Sequence, residues 1–216
     1  MPESAARDPG GPVRMTIAAL LLAAGESSRF GELPKALVDV GETSAIRRLA
    51  EICLAEGYDP ISVVVGAHRA PVVRALHGLP VEVVEAERWF EGRTASVQAG
   101  VNAIPPGRDI LFWPVDHPFV AATTVERLES VASRDLLGVW FIPTYRGHGG
   151  HPVLWRSSIR PDLLELRPDA PVRALLPEFG PQIRRVEVDD PGVVANIDTP
   201  ESYRAARDEW TSRGGF

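Results

Sequence analysis

Cysteine is almost missing from this chain. Cys53 stands alone among 216 residues, which excludes an intrachain disulfide and a cysteine-rich zinc site and makes a cytoplasmic protein the expectation. Positive charge is also in deficit: 23 Lys plus Arg against 29 Asp plus Glu leave a net charge of −6. Such a balance carries no general attraction for nucleic acid, whose binders present a basic face. No apolar run approaches the ~20 residues needed to span a bilayer, so no membrane partner is expected. Neither a Walker A pattern nor G-x-G-x-x-G occurs, which removes the two commonest phosphate-loop signatures. Internal repeats and heptads are absent too.

What remains is ordinary for a globular protein, with 44% hydrophobic and 24% charged residues. At roughly 150 residues per domain, the length favours one α/β domain. We expect it to span residues 15–216, behind a polar, Pro- and Gly-rich leader, Met1–Arg14, that reads as disordered, with Met15 as a second candidate start. Arg14-Met15 followed by Ile17–Ala24 (IAALLLAA) mimics the basic end and apolar core of a signal peptide. A parallel strand covered on both faces has the same composition. The glycine, small polar residues, Arg29 and Lys35 that follow suit a strand running into a phosphate loop.

Strand and helix then alternate. Strands are predicted at Ile17–Leu22, Ile61–Val65, Val81–Val84 and Asp109–Trp113, and helices at Thr43–Glu56, Pro71–Leu76, Thr94–Ile104 and Thr123–Ala132. Cys53 falls on the apolar face of the first helix, Gly57 ends it, and Thr123 or Thr124 caps the last. This alternation is the signature of a mostly parallel sheet with helices on both faces. Beyond it, Gly138–Ile142 and Pro152–Trp155 flank a glycine-rich loop and are expected to pair antiparallel. Helices at Ser158–Leu166, Pro171–Phe179 and Thr199–Trp210 and a strand at Arg184–Val188 complete the chain.

Four segments carry chemistry. In Leu21–Lys35 (LLAAGESSRFGELPK) small residues let a phosphate or base approach the backbone. Gly25, Ser27 and Ser28 can present N–H groups, while Arg29 and Lys35 supply charge for a triphosphate. Asp116, in PVDHP, follows an apolar strand whose end should share a rim with that loop, where ligands of open α/β sheets bind. A carboxylate there suits Mg²⁺, which prefers hard oxygen ligands shared with phosphates. Asn196 and Asp198 precede a Thr-Pro-Glu helix start and offer further oxygen ligands. Arg93 and Ser96, in EGRTASVQAG, open a helix whose N-terminus favours anions. His148 and His151 form an H-x-x-H pair in a Gly-rich loop, where local hydrogen bonding is a simpler role than zinc ligation with His117. His68 and His77 read as solvated.

In this order, LAAGESSRFGELPK, EGRTASVQAG, PVDHP, GGHPVL and DDPGVVANIDTPESY resemble the MobA-like nucleotidyltransferases, most closely the molybdenum cofactor cytidylyltransferases. The resemblance runs from about Ile17 to Tyr203. It implies a Rossmann-like three-layer α/β/α fold and Mg²⁺-dependent transfer of a nucleoside monophosphate from an NTP to a phosphorylated acceptor, molybdenum-bound molybdopterin, with release of pyrophosphate. It places Ala23, Ala24, Gly25, Arg29 and Lys35 on the triphosphate, Asp116 on the metal with Asn196 and Asp198 beside it, and Arg93 and Ser96 near base and ribose. Ala24, in L-A-A-G, tips the expected donor toward CTP; a guanylyltransferase, a nucleotidyltransferase acting on another phosphorylated acceptor, and a non-catalytic nucleotide-binding or cofactor-delivery protein are the alternatives. The chain departs from the pattern with His117 where Gln is frequent, Asn196 and Ser202 where Asp is common, and Phe30 where Met is usual. The stretch PDAPVRALL around Asp169 matches the acceptor-contacting segment only loosely.

Overall fold

Seven consecutive residues, Ile17–Ala23, form a strand (β1) buried along its whole length. Ala19, Leu21 and Ala23 enter one apolar cluster and Ala18, Leu20 and Leu22 another, on the opposite face. A strand covered on both sides has no polar face to alternate, which is why its sequence shows an unbroken apolar run. The computed structural model describes residues 16–30 and 33–215; the leader Met1–Arg14 and the alternative start Met15 lie outside the described residues.

A two-stranded ribbon, β2 (Asp39–Val40) and β3 (Thr43–Ser44), leads into α1 (Ala45–Ala55). Next come β4 (Ile61–Val65), α2 (Arg69–Ala75), β5 (Glu82–Glu85), α3 (Arg93–Ala103), β6 (Asp109–Pro114) and α4 (Ala122–Ala132). Then follow β7 (Trp140–Tyr145), β8 (His148–Gly149), β9 (Val153–Trp155), α5 (Arg160–Glu165), α6 (Leu176–Phe179), β10 (Ile183–Glu187) and α7 (Pro200–Ser212). The main sheet has the order β10-β7-β9-β6-β1-β4-β5, with β8 paired to β7. β9 runs antiparallel to both β6 and β7, and β8 antiparallel to β7, while the other pairs are parallel. α1, α2 and α4 cover one face, and α3 and α5 the other. This is a Rossmann-like α/β/α arrangement with a mostly parallel sheet. No helix among the described residues is long and apolar enough to cross a membrane.

Local predictions differ from the structure where tertiary contacts take over. Neither Thr123 nor Thr124 caps α4. Ala121 holds the cap position, and Asp190, from a distant loop, accepts from the Ala121 N–H at 2.9 Å and the Thr124 hydroxyl at 2.7 Å. Thr43 and Ser44 are drawn into the ribbon and α1 starts after them. The helix expected over Pro171–Phe179 is a 3-10 turn, Val172–Leu175, followed by the short α6. At α7, Thr199 and Ser202 exchange hydrogen bonds with each other's backbone N–H (3.2 and 3.0 Å), a complete capping box. Ser202 therefore has a structural task where an aspartate is common. Cys53 is fully buried, and burial raises its thiol pKa. His68 is tied down by a 2.7 Å contact between its Nε2 and the Glu26 carbonyl.

One buried ion pair fixes β9 against its neighbours. Arg156 meets Asp109 at 2.8 Å and donates to the carbonyls of Ala132 (2.6 Å) and Asp135 (3.1 Å) at the end of α4. The second oxygen of Asp109 accepts from the Ser157 N–H at 2.8 Å. Arg156→Met leaves that carboxylate without its cation and is expected to cost about 3–5 kcal/mol in urea unfolding; wild-type stability would show that the pair contributes nothing. Farther along, His151 packs against His117 (ring centroids 4.9 Å) and Phe112 (5.5 Å). Burial lowers its pKa to about 3, with His117 adding to the shift. Between that value and the usual 6.5 the unfolded chain binds a proton that the native one refuses, so stability falls as pH drops through this window. The urea midpoint should decline from pH 7 to pH 4 less steeply in His151→Gln than in wild type; equal slopes would contradict the shift.

Candidate active site

β1 and β6 are parallel neighbours, so the loop after Ala23 and the residues after Pro114 emerge on one rim, as the sequence predicts. There Asp116 is 4% exposed yet charged in character. Burial opposes its ionisation, yet the positive potential of its neighbours, Arg93 and Lys35 among them, holds its carboxyl below the usual aspartate range. Arg93 at the start of α3 meets Asp116 Oδ2 at 3.1 Å, and the Asn196 amide donates to the same oxygen at 3.4 Å. Oδ1 is buried with no hydrogen-bond partner among the described residues. The Ile197 N–H donates to the Asp116 carbonyl at 2.9 Å, which draws the segment from Asn196 to Asp198 onto the end of β6.

Asp198 carries the second set of contacts. Lys35, the only lysine in the chain, donates to its Oδ1, and Arg29 approaches Oδ2 at 3.4 Å. Ser27 adopts a left-handed backbone (φ 55°), and its hydroxyl accepts from the Lys35 N–H at 3.1 Å, closing the loop on itself. A cleft of about 190 Å³ is lined by Ala23, Ala24, Gly25, Ser27, Lys35, Arg93, Ser96 and Asp116 among others. Eight of the residues expected from the sequence are thus assembled around one opening. Ser28 is exposed and outside the lining, and the Arg29 side chain is 70% exposed, joined to the group through Asp198. Arg93 lies on the carboxylate of Asp116 at the edge of the cleft, with its side chain partly exposed.

Arg93 also borders a second, larger cavity of about 900 Å³. Its walls include Phe112, Trp140 and Trp155, and one side is formed by residues 168–173, the stretch that matched the acceptor segment loosely. Gly92 explains how that segment comes so near. Its φ is +143°, and a Cβ there would fall 2.4 Å from the Pro168 carbonyl oxygen. Thr94 donates to the Ala170 carbonyl, and the Gln98 amide to the carbonyls of Leu163, Leu164 and Leu166 at 2.7–3.2 Å. These two residues of EGRTASVQAG hold the wall in place.

His151 differs from its expected local hydrogen bonding. Among the described residues, its Nδ1 and that of His117 are buried without hydrogen-bond partners. His148 lies apart on β8, and no group of three His, Cys, Asp or Glu is gathered for a metal among the described residues. The sequence reading passed over Trp89, Trp140 and Trp155, which line the two spaces; Trp89 stands three residues before Gly92, and that proximity was the available signal.

Comparisons with known proteins agree with this architecture. Over 199 residues the chain is 28% identical to the nicotine blue oxidoreductase of Paenarthrobacter nicotinovorans, covering 87% of this chain and 95% of that protein. A nucleotidyl transferase from Methanothermobacter thermautotroptrophicus superposes with a TM-score of 0.78 at 26% identity, over 92% of this chain and 99% of that one. Rv0371c from Mycobacterium tuberculosis H37Rv gives a TM-score of 0.74 at 26% identity, over 90% and 98% of the two chains. The MobA-like NTP transferase domain matches residues 19–186. A span of that length runs from β1 through β10, so the chain belongs to the family of MobA-like NTP transferase domains.

Proposed function

We propose that this chain transfers a nucleoside monophosphate from CTP, with Mg²⁺, to a phosphorylated acceptor, molybdenum-bound molybdopterin, and releases pyrophosphate. The observation that carries the reading is Asp116: a buried, ionised carboxylate with one oxygen unpartnered, beside a loop that brings the chain's single lysine to the same rim. The donor set fits a hard divalent cation, because Asp116, Asp198 and the Asn196 carbonyl are all oxygen ligands. When bound, such a cation neutralises charge on the phosphate oxygens.

The protein's own groups then have separate tasks. Lys35 and Arg29 exchange Asp198 for the triphosphate oxygens, Lys35 as a compact charge and Arg29 as a planar fork. Among the described residues no heavy atom lies within 4 Å of where a Cβ on Gly25 would stand, which leaves the backbone open to a phosphate. Arg93 borders both the cleft and the aromatic-walled cavity and is placed between donor and acceptor. An oxygen of the acceptor phosphate attacks the α-phosphorus, a new P–O bond forms, and the bond to the β-phosphate oxygen breaks as pyrophosphate leaves. The acceptor phosphate is already ionised, so no general base is required. Positioning and charge neutralisation carry the catalysis.

A second reading comes from the P. nicotinovorans relative, an oxidoreductase by name that matches along nearly its full length. On that reading the aromatic-walled cavity holds an organic substrate for reduction. Purified protein with Mg²⁺, each of the four NTPs and molybdenum-bound molybdopterin should release pyrophosphate, fastest with CTP. Consumption of reduced nicotinamide with an organic acceptor, and no pyrophosphate, would favour the second reading. Nucleotide binding without either turnover would favour a delivery protein.

Asp116→Asn should lower kcat by at least about 10²–10³-fold with the melting temperature unchanged. A fully active variant removes Asp116 from the reaction. Lys35→Ala deletes a charge-assisted contact to the triphosphate and should weaken nucleotide binding by about 10–100-fold; titration calorimetry reads this directly, and an unchanged affinity would count against the role.

A further inference from the structure

The cleft is chemically lopsided. Asp116 follows β6 with Arg93 on its carboxylate, and Lys35 and Arg29 lie on Asp198 nearby. On the other side of β1 the sheet continues through β4 to β5. Along that half of the rim the chain presents Ala24 after β1, Gly66 after β4 and Ala86 after β5, none with a side chain larger than a methyl group. The 3-10 turn that follows, Trp89–Glu91, brings an indole to the edge of this bare surface. Trp89 is the one aromatic side chain among the residues described as lining the cleft.

Its position is specified from several directions. A Cβ on Gly66 would lie 2.8 Å from Trp89 Cγ and 2.5 Å from the Ala24 carbonyl oxygen, so the indole rests on a glycine that nothing larger can replace without displacement. The backbone N–H of Trp89 donates to the Ala86 carbonyl at 3.1 Å, and its backbone carbonyl accepts from the Gly92 N–H at 3.4 Å, which fixes the turn to the start of α3. Trp89 remains half-buried, packed against the core cluster that contains Ala24 and Ala86. The Ala67 N–H donates to the Ala24 carbonyl at 3.2 Å, so the loops after β1 and β4 are themselves tied together beneath it. A polar, charged half and an apolar half with one held aromatic ring match the two ends of a nucleoside triphosphate.

We propose that Trp89 is the platform on which the nucleobase of the donor stacks, with Gly66 as the seat that lets the indole lie against the rim. The assignment rests on the nucleotidyl-transfer reading and adds to it a residue that selects for a base over bare polyphosphate. Stacking is tolerant of base identity, since every base has a π-face. Trp89 therefore contributes affinity to all four nucleotides and leaves the choice among them to other groups.

The test separates base from phosphate. Wild type, Trp89→Ala and Trp89→Phe are titrated calorimetrically, with Mg²⁺ present, against CTP, the other three NTPs and inorganic tripolyphosphate. Melting temperatures serve as the folding control. Trp89→Ala should bind CTP about 5- to 150-fold more weakly, with a parallel loss for the other NTPs. Trp89→Phe should retain most of the affinity, and tripolyphosphate should bind all three proteins within twofold. Equal loss of CTP and tripolyphosphate in Trp89→Ala would make the residue a structural support of the cleft and overturn the proposal. CTP binding within twofold of wild type would overturn it as well. Wild-type protein that binds neither CTP nor any other NTP would defeat the transferase reading itself, a result distinguishable from both.

Discussion

A charged carboxylate held almost wholly away from water is the constraint around which this molecule is arranged. Asp116 has to be compensated, because an isolated buried charge costs several kcal/mol. The compensation comes from three places in the sequence: Arg93 at the head of α3, Lys35 in the first loop, and Asn196 near the end. Each of these has to be delivered by a different element. The sheet order, the crossing of α3 and the return of the C-terminal segment across β6 all serve that delivery. One oxygen nevertheless has no hydrogen-bond partner among the described residues, and on the proposed reading that deficit is where a cation belongs.

The overall charge of −6 says little about such a site. The rim is close to self-neutral: Lys35 and Arg29 lie on Asp198, and Arg93 on Asp116. Pairs arranged in this way can exchange partners at small net cost when phosphates and a cation arrive together, since each cation leaves one anion for another. Salt bridges elsewhere on the surface, such as Arg204 with Glu201, are exposed and worth little. The site lies instead where carboxylates and cations from distant parts of the chain meet under partial burial.

Much of the fold was legible because its signals are local. β1, β4 and β6 are largely apolar runs, and α1 between the first two has a clear apolar face, so element type and the parallel core followed from composition. The antiparallel pairing of β7 with β9 was readable from two apolar stretches around a glycine-rich turn. Errors fell where a long-range contact replaced a local one. Asp190 displaces Thr123 and Thr124 as the cap of α4, and the ribbon with β2 takes Thr43 and Ser44 from α1. In the candidate site the loop residues, Asp116, Asn196 and Asp198 carried recognisable chemistry in short motifs. Trp89, Trp140 and Trp155 did not, because a tryptophan in an apolar context reads as core until a cavity is seen beside it.

The sequence by itself determined the class of fold and the inventory of charged and oxygen-bearing groups, since both depend on residue type and on spacing within a dozen positions. Only the tertiary structure decided which of those groups meet. Ser28 falls outside the cleft while Asp198, 163 positions beyond Lys35, closes on it. Arg93 turns to Asp116, and the larger cavity opens where residues 168–173 are held against Gly92. The physical reason is that burial and electrostatic compensation act through space, across strands that are neighbours in the sheet but remote in the chain.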